Sequence, residues 1–214
     1  MYEGDFMQKF IQFLDNHVDF KIYSVTWIAI VTALSVIPCI KYLPKEFGYE
    51  NGLLENIQML FLFISCILAF KVKTNKKFFC FAGMVVIILI LREINCGRTL
   101  FFPVPGEVNT FYGWKDIKYG YLAHPIYGLY IASTVVYFLW NKLFIDLLSI
   151  VKKIRFPFWN VLLLILGMTL GMYAEKSLSN MVFEEISELL FYVSLTGIIW
   201  LYGYNKKFTF CGDV

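Results

Sequence analysis

The sequence predicts an all-α integral membrane protein: a six-transmembrane-helix bundle with an N-terminal interfacial amphipathic helix. Three observations support this fold class. The chain of 214 residues is 59% hydrophobic and 19% aromatic, with a mean hydropathy of +0.65. Six apolar runs approach the roughly 20 residues that a helix needs to cross a bilayer. No polar segment exceeds about 25 residues, so we predict one membrane domain over residues 1–214 and no separate soluble domain.

The N-terminal segment favours an interfacial helix over a signal peptide. The first twenty residues carry four acids and lack a basic start followed by an apolar run, so we expect the first span to serve as the insertion signal. Within residues 6–20, Phe6, Phe10, Phe13 and Leu14 recur at helical spacing, with acids and amides on the other face. This pattern predicts an amphipathic helix lying at the membrane surface.

The first three predicted spans are separated by short polar connections. The first span contains Pro38 and is closed by Pro44, and the second opens with Glu55, three residues before Gln58 on the same helix face. A lysine-rich turn leads into the third span, which ends in the run L-R-E-I-N-C-G-R. The six predicted spans cover about 22–42, 53–70, 78–95, 122–144, 157–173 and 182–202.

Distinct signals mark the remaining elements. Residues 96–121 combine prolines and glycines with aromatic residues, which predicts a loop folded back onto the bundle at the headgroup level. His124 lies in the first turn of the fourth span, and a basic connection over residues 142–155 follows that span. Gly167 and Gly171 form a G-x-x-x-G in the fifth span, which permits a close helix contact and a homo-oligomer through that face.

The distribution of basic residues predicts the orientation. With six spans and the N-terminus inside, the cytoplasmic segments hold twelve Lys or Arg residues and the outer segments hold seven. Because this bias sets membrane orientation, we expect a multi-pass cell-membrane protein with both termini in the cytoplasm. The polar groups at five helix ends then lie near one, extracytoplasmic face.

These polar groups form the candidate site. We expect Arg92, Glu93 and Arg98 to meet the acids of spans five and six, because an unpaired charge at that depth costs several kcal/mol. In a functional site Arg92 and Arg98 would bind an anion. The other residues that we expect to contribute to substrate binding are Glu55, Glu175 and Glu185.

Candidate catalytic residues lie in the same cluster. Glu93 or Glu188 would act as base, since a carboxylate near apolar walls holds its proton more tightly. His124 would act as acid, because histidine titrates near neutral pH. The competing interpretation is an inert lattice of ion pairs and helix caps that fixes the packing of the bundle.

Metal, cysteine and nucleic-acid sites each require particular residue types, which the sequence supplies only in part. A divalent-metal site of calcium or magnesium type stays open, but we assign no metal ligand and no cofactor. Two histidines are too few for a ceramidase-type zinc hydrolase. The five cysteines form no C-x-x-C pair and read as packing residues, with Cys96 the only one to test for reactivity. No basic patch with interleaved aromatics occurs, so we exclude nucleic acid as a partner.

The run R-E-I-N-C-G-R, after E-N-G-L-L-E-N at residues 50–56, resembles segments of uncharacterised bacterial inner-membrane proteins. Those proteins carry an E-I-S-W-G-Q or similar run after an apolar span. Here Asn95 and Cys96 replace the usual small–aromatic pair, and Arg98 replaces the usual amide. The resemblance covers about fifteen residues and implies a bacterial integral membrane protein, with no particular activity.

A second resemblance concerns size and span count. The chain is similar in both to substrate-binding subunits of vitamin transporters, and Ala29 and Ala33 suit their A-x-x-x-A helix contact. The rest of the chain does not match their pattern.

Three classes of function remain open. The first is an enzyme or binding protein for an anionic lipid headgroup or lipid-linked substrate at the outer leaflet, with membrane lipid as its partner. The second is a subunit of a small solute or ion transporter, and the third is a membrane anchor or sensor for a cytosolic partner. A pocket beside the arginines favours the first class, a continuous polar path the second, and exposed aromatics on the inner face the third.

Overall fold

The structure is a computed structural model of the chain and describes residues 17–153, 155–178 and 180–208. This part of the chain is helical with almost no strand, as the sequence predicts. Five helices are long and apolar enough to cross a membrane, and a pair of helices bent by 55° is a sixth candidate. Most of the predicted interfacial helix at 6–20 lies outside the described residues.

The helices are named α1 to α8 in chain order. They are α1 Ser24–Tyr42, α2 Leu53–Lys71, α3 Lys76–Glu93, α4 Arg98–Phe101, α5 Ala123–Trp140, α6 Leu143–Lys153, α7 Phe158–Tyr173 and α8 Met181–Tyr204. Short 3₁₀ turns cover Lys45–Gly48, Asn95–Gly97 and Gly120–Leu122, and a π-helical turn covers Ala174–Leu178. Two short strands, β1 Val18–Asp19 and β2 Phe156–Pro157, pair in parallel.

Helix α8 lies at the centre of the bundle. Of its membrane-candidate segment, 61% is buried, against 6% for the segment that contains α5. Its buried side chains include Leu190, Val193 and Leu201, and it packs against α1, α2 and α7. Ala29 of α1 is fully buried in the same core. Polar groups at the start of α8 can therefore meet groups from several neighbouring helices.

The bend between α3 and α4 falls inside the run R-E-I-N-C-G-R. Asn95, Cys96 and Gly97 all have positive φ, at 44°, 51° and 89°. Glycine adopts this left-handed region without steric cost and asparagine with little, but other residues are disfavoured there by about 1 kcal/mol or more. The three residues stop the helix at Glu93, two residues before the predicted end of span three, and turn the chain into α4.

Helices α7 and α8 cross at the predicted G-x-x-x-G. A Cβ atom on Gly167 would lie 2.6 Å from the backbone nitrogen of Phe191, whereas one on Gly171 would meet only ordinary contact, 3.4 Å from Cγ of Glu188. The predicted close helix contact is therefore formed at Gly167, between α7 and α8 of the same chain. Both glycines are buried against α8 of the same chain, and the homo-oligomer stays a prediction.

Neutral polar pairs join the helices deeper in the bundle. The Thr26 hydroxyl donates to the Asn160 side chain at 2.6 Å, and the Ser65 and Thr196 hydroxyls lie 2.7 Å apart. Such pairs satisfy side chains that have no access to water inside a membrane. All four residues are fully or almost fully buried.

Asp19 joins the segment before α1 to the segment after α8, at the end of the bundle where α1 begins and α8 ends. Its carboxylate accepts hydrogen bonds from Lys207 Nζ at 2.8 Å, the Tyr23 hydroxyl at 2.9 Å and the Lys21 N–H at 2.9 Å. Burial raises the pKa of Asp19, but these bonds outweigh it and hold the pKa below its usual value. The pairing of Val18 with Phe156 continues the same contact between chain segments.

Two sequence predictions need correction in this region. The interfacial helix does not continue to residue 20, because Val18 and Asp19 are extended and paired with β2. The fourth span ends at Trp140 rather than 144, because Lys142 has a positive φ of 52° and breaks the helix.

Helix α6 is an element that the sequence reading missed. The sequence predicts a basic connection over residues 142–155, yet Leu143–Lys153 form an amphipathic helix. Leu143 is fully buried, while Phe144, Ile145 and Leu148 are about half-exposed. An apolar face of this kind is typical of helices that lie at a membrane surface.

Candidate functional site

The last turn of α3 and the first turns of α8 meet in a charged network. Arg92 Nη2 donates to Glu188 Oε1, and Arg92 Nε lies 3.2 Å from Glu93 Oε1. The Tyr192 hydroxyl donates to Glu93 Oε1 at 2.5 Å. Because Glu188 and Tyr192 are four residues apart on α8, both face α3. The network therefore runs from α8 through two residues of α3 and back to α8.

Burial differs sharply along this network. The Glu93 side chain is 7% exposed, Glu188 is 21% exposed and Arg92 is 54% exposed. A buried carboxylate needs compensating partners, and Glu93 has the Arg92 guanidinium as an ion pair and the Tyr192 hydroxyl as a hydrogen-bond donor. Arg92 is the member of the network with most access to the surroundings.

A second group of polar contacts joins α2 to the same region. Gln58 Nε2 donates to the Glu185 carboxylate at 2.8 Å and to its backbone carbonyl at 2.7 Å. Glu55, three residues earlier on α2, is buried and accepts a hydrogen bond from the Asn51 N–H. Both acids therefore point into the bundle and have direct partners.

A cavity of about 550 Å³ opens beside the network, between α3, α7 and α8. One part of its wall is apolar and is formed by Leu89, Met168, Met172 and Phe191. The other part is charged or polar and is formed by Arg92, Glu175, Glu184, Glu188 and Tyr192. Gly167 and Gly171 of α7 also line the space. The cavity is thus amphipathic, with its charged groups at the level of the helix ends.

The carboxylates around this cavity influence one another. Glu184 lies within electrostatic range of Glu188, Glu175 and Arg92, and Glu188 within range of Glu93 and Glu175. Glu55 and Glu185 interact with Glu188 as well. Six acids are thus linked electrostatically in this region, and Arg92 pairs directly with two of them.

Two predicted site residues lie elsewhere. Arg98 stacks over the Phe111 ring at 6.0 Å, and its Nε and Nη2 lie 3.1 and 2.8 Å from the Asn95 amide oxygen once that amide is oriented to accept. His124 is exposed, packs edge-on against Trp114 at 5.6 Å, and is not a lining residue of the cavity. The bend at residues 95–97 separates Arg98 from Arg92.

Six of the eight predicted site residues are brought together. They are Glu55, Arg92, Glu93, Glu175, Glu185 and Glu188. The expected ion pairs of Arg98 with acids of spans five and six are not formed in the described residues. The acid–base pairing of His124 with Glu188 is likewise not assembled by this arrangement.

Several residues of the site were not predicted as site residues. Tyr192 follows Glu188 by one helical turn, and that spacing is the signal that could have identified it. Of the two adjacent acids Glu184 and Glu185, Glu184 lines the cavity, while Glu185 accepts a hydrogen bond from Gln58. The apolar wall formed by Met168 and Met172 carries no sequence signal beyond an ordinary transmembrane helix.

The donor set suits binding of a charged group better than metal coordination. Within residues 17–153, 155–178 and 180–208, no group of three or more His, Cys, Asp or Glu residues is placed to hold a metal ion. The guanidinium of Arg92 is within ion-pair distance of both Glu93 and Glu188.

Comparison of the chain with models of protein families, with curated proteins and with solved structures finds no match. The bacterial resemblance of the R-E-I-N-C-G-R run therefore stays a prediction.

Proposed function

We propose that this protein is a six-span membrane protein that binds the charged headgroup of a lipid or lipid-linked substrate at its extracytoplasmic end. The observation that carries the proposal is the amphipathic lining of the cavity beside Arg92. An amphipathic ligand needs an apolar wall for its hydrocarbon part and polar groups for its head, and the cavity offers both.

The position of the apolar wall supports a ligand that comes from the membrane. Met168 and Met172 of α7 are 49% and 48% exposed, on a helix whose outer surface would face lipid. Methionine is unbranched and flexible, so it adapts to chains of varying shape. The lipid-facing surface of α7 and the cavity are therefore continuous through these two side chains.

Arg92 is the residue that would bind the anionic part of the headgroup. A guanidinium has five N–H donors, of which one donates to Glu188, while Nε lies within ion-pair distance of Glu93. The remaining donors and the half-exposed side chain leave Arg92 able to bind a phosphate. Arg98 has no comparable role in this proposal, because it lies with Asn95 and Phe111.

Contacts at the two ends of the bundle support six alternating spans. At one end, the Glu50 N–H donates to Asn109 at 2.9 Å, and Asn51 donates to the Thr99 carbonyl at 2.5 Å. At the other end, Lys207 meets Asp19 at 2.8 Å. The bent pair α3–α4 then counts as one span, and the lysine-rich end lies in the cytoplasm by the Lys/Arg bias.

Lipid analysis of purified variants tests the proposed site. We expect wild-type protein to retain a defined lipid or lipid-linked molecule through purification in mild detergent, detected by native mass spectrometry. The Arg92→Gln variant should retain it at least about tenfold less, because hydrogen bonds to a charged group contribute about 1.5–3 kcal/mol.

Arg98→Gln is the matched control. It removes an arginine six residues away on the other side of the bend, and lipid retention should stay at the wild-type level. Equal lipid content in wild type and the folded Arg92→Gln variant would contradict the proposed site.

A further inference from the structure

The cavity beside Arg92 carries an excess of negative charge that its own residues leave uncompensated. Three carboxylates line it, from Glu175, Glu184 and Glu188, against the single guanidinium of Arg92. If all four groups are ionised, one positive charge minus three negative charges leaves −2 at the cavity wall. Like charges that lie close together repel one another, so this arrangement favours a ligand that carries a positive charge.

The guanidinium is already committed to two acids. Arg92 pairs with Glu188 on the cavity wall and with the buried Glu93 behind it. Glu175 and Glu184 have no Lys or Arg side chain within ion-pair distance in the parts of the chain that the structure describes. A purely anionic headgroup would therefore meet one free face of Arg92 and two unpaired carboxylates.

The two unpaired carboxylates come from different helices on either side of the chain reversal between α7 and α8. Glu175 lies in the π-helical turn that follows α7, and Glu184 lies in the first turn of α8. Both line the same cavity and lie within electrostatic range of each other. A cation between them would interact with both, while an attached phosphate could reach Arg92.

From this charge distribution we infer that the ligand of the cavity carries an ammonium group, bound by Glu175 and Glu184, next to its phosphate on Arg92. The inference rests on the proposed headgroup site and names its ligand class: a phospho-amine headgroup of the phosphoethanolamine type. An ammonium group supplies three N–H donors to carboxylates and neutralises part of their charge. A headgroup that ends in neutral hydroxyls offers no such compensation.

Paired lipids that differ only in the headgroup test the inference. Full-length protein is delipidated in detergent and titrated with dioleoyl-phosphatidylethanolamine or dioleoyl-phosphatidylglycerol, and binding is measured by native mass spectrometry. We expect the ethanolamine lipid to bind about tenfold more tightly than the glycerol lipid, as for one charged hydrogen-bonded contact. In the Glu175→Gln/Glu184→Gln variant the preference should fall below about threefold.

Glu107→Gln is the matched control, because Glu107 is an exposed acid of the loop at the same end of the bundle and does not line the cavity. Its preference should equal that of wild type. If the double variant fails to fold, each single substitution is measured in its place and should reduce the preference. Water-soluble glycerophosphoethanolamine and glycerophosphoglycerol form a second pair, which distinguishes a soluble amine from a lipid as the source of the headgroup.

The outcomes separate the inference from the function on which it rests. If wild type binds both lipids equally, or prefers the glycerol lipid, the inference of an ammonium group in the ligand is wrong, while the proposed headgroup site stands. A preference that persists in the folded double variant also overturns the inference, because other groups then select the amine. If wild type binds neither lipid and neither soluble headgroup, the proposed function itself fails.

Discussion

Arg92 pairs with one acid of α3 and one acid of α8. It contacts Glu188 through one nitrogen and Glu93 through another, and Glu93 in turn accepts from Tyr192. The half-exposed guanidinium thus holds α3 against α8 and also lines the cavity. Arg92 is therefore central both to the ion-pair lattice and to the proposed ligand site. Variants that disturb only one of these two roles are needed to separate them.

Replacing Tyr192 with Phe disturbs the structural role. Tyr192 is 1% exposed, and its hydroxyl is one of two partners of the buried Glu93 carboxylate. We expect Tyr192→Phe to lower the free energy of unfolding by about 1–3 kcal/mol, because a buried charge loses a donor. Thermal unfolding in detergent would measure the loss.

Tyr202→Phe on the same helix is the control, since its hydroxyl makes only a 3.4 Å contact with the Arg155 carbonyl. Its unfolding temperature should stay close to that of wild type. Equal effects of the two substitutions would show that the Glu93–Tyr192 bond contributes nothing special to stability.

At the scale of the elements, the crossing of α7 and α8 determines where the cavity lies. Gly167 brings the two helix backbones together, and Gly171, one turn closer to the charged end, leaves space beside Glu188. The cavity opens in that space because a glycine has no side chain to fill it. The same two glycines therefore set both the helix contact and the shape of the site.

Alanine substitutions at the two glycines should behave differently. A Cβ on Gly167 meets the Phe191 backbone at 2.6 Å, and backbone cannot move aside without shifting α8. We expect Gly167→Ala to reduce stability by about 1–3 kcal/mol, as overpacking does. Gly171→Ala should be tolerated because its Cβ would make ordinary contact. Chemical or thermal unfolding of both variants decides, and a milder effect at Gly167 than at Gly171 would contradict the packing of α7 on α8.

The contact between Asp19 and Lys207 makes a contribution to the free energy of unfolding that depends on pH. Because folding holds the pKa of Asp19 below its usual value, the carboxylate stabilises the fold above the unfolded-state value of about 3.9. This contribution is lost as the pH falls through the lower folded-state pKa. Asp19→Asn should therefore lower stability by up to about 1 kcal/mol at neutral pH, since Lys207 is itself 45% exposed.

Melting temperatures across a pH series check this expectation. The difference between wild type and Asp19→Asn should be constant from about pH 8 to about pH 5 and should shrink below about pH 4. Asp116→Asn, at an exposed loop position, should show no such difference. A difference that grows on acidification would contradict the pairing of Asp19 with Lys207.

For the whole molecule, the two ends of the bundle have different chemistry. One end carries the acids, the cavity and the aromatic loop, while the other carries the contact of Asp19 with the segment after α8 and the amphipathic helix α6. In the proposed arrangement of six alternating spans, the connections that follow α1, α3 and α7 lie at the acid-rich end. The proposed orientation assigns the acid-rich end to the outside of the cell.

Cysteine labelling tests that orientation. In a background without the five native cysteines, we expect Asn75→Cys and Ser149→Cys to be protected from an impermeant maleimide added to intact cells. Glu107→Cys, in the loop at the opposite end, should be labelled from outside. Labelling at 75 or 149 from outside, with protection at 107, would invert the topology.

The sequence by itself determined the helical class, the approximate spans and the polar helix ends. Hydropathy over about 20 residues decides these features, because a bilayer must be crossed by helices that satisfy their own backbone hydrogen bonds. The i, i+4 spacing of Glu184, Glu188 and Tyr192 likewise follows from helix geometry alone.

Only the tertiary structure decided which polar groups meet. The left-handed residues 95–97 turn Arg98 away from Arg92, although six positions in sequence separate the two arginines. His124 and Arg98 matched the sequence criteria as well as Arg92 did, because composition and spacing describe one helix at a time. The cavity depends on how α7 crosses α8 and on where the chain bends after α3, and these are properties of several segments packed together.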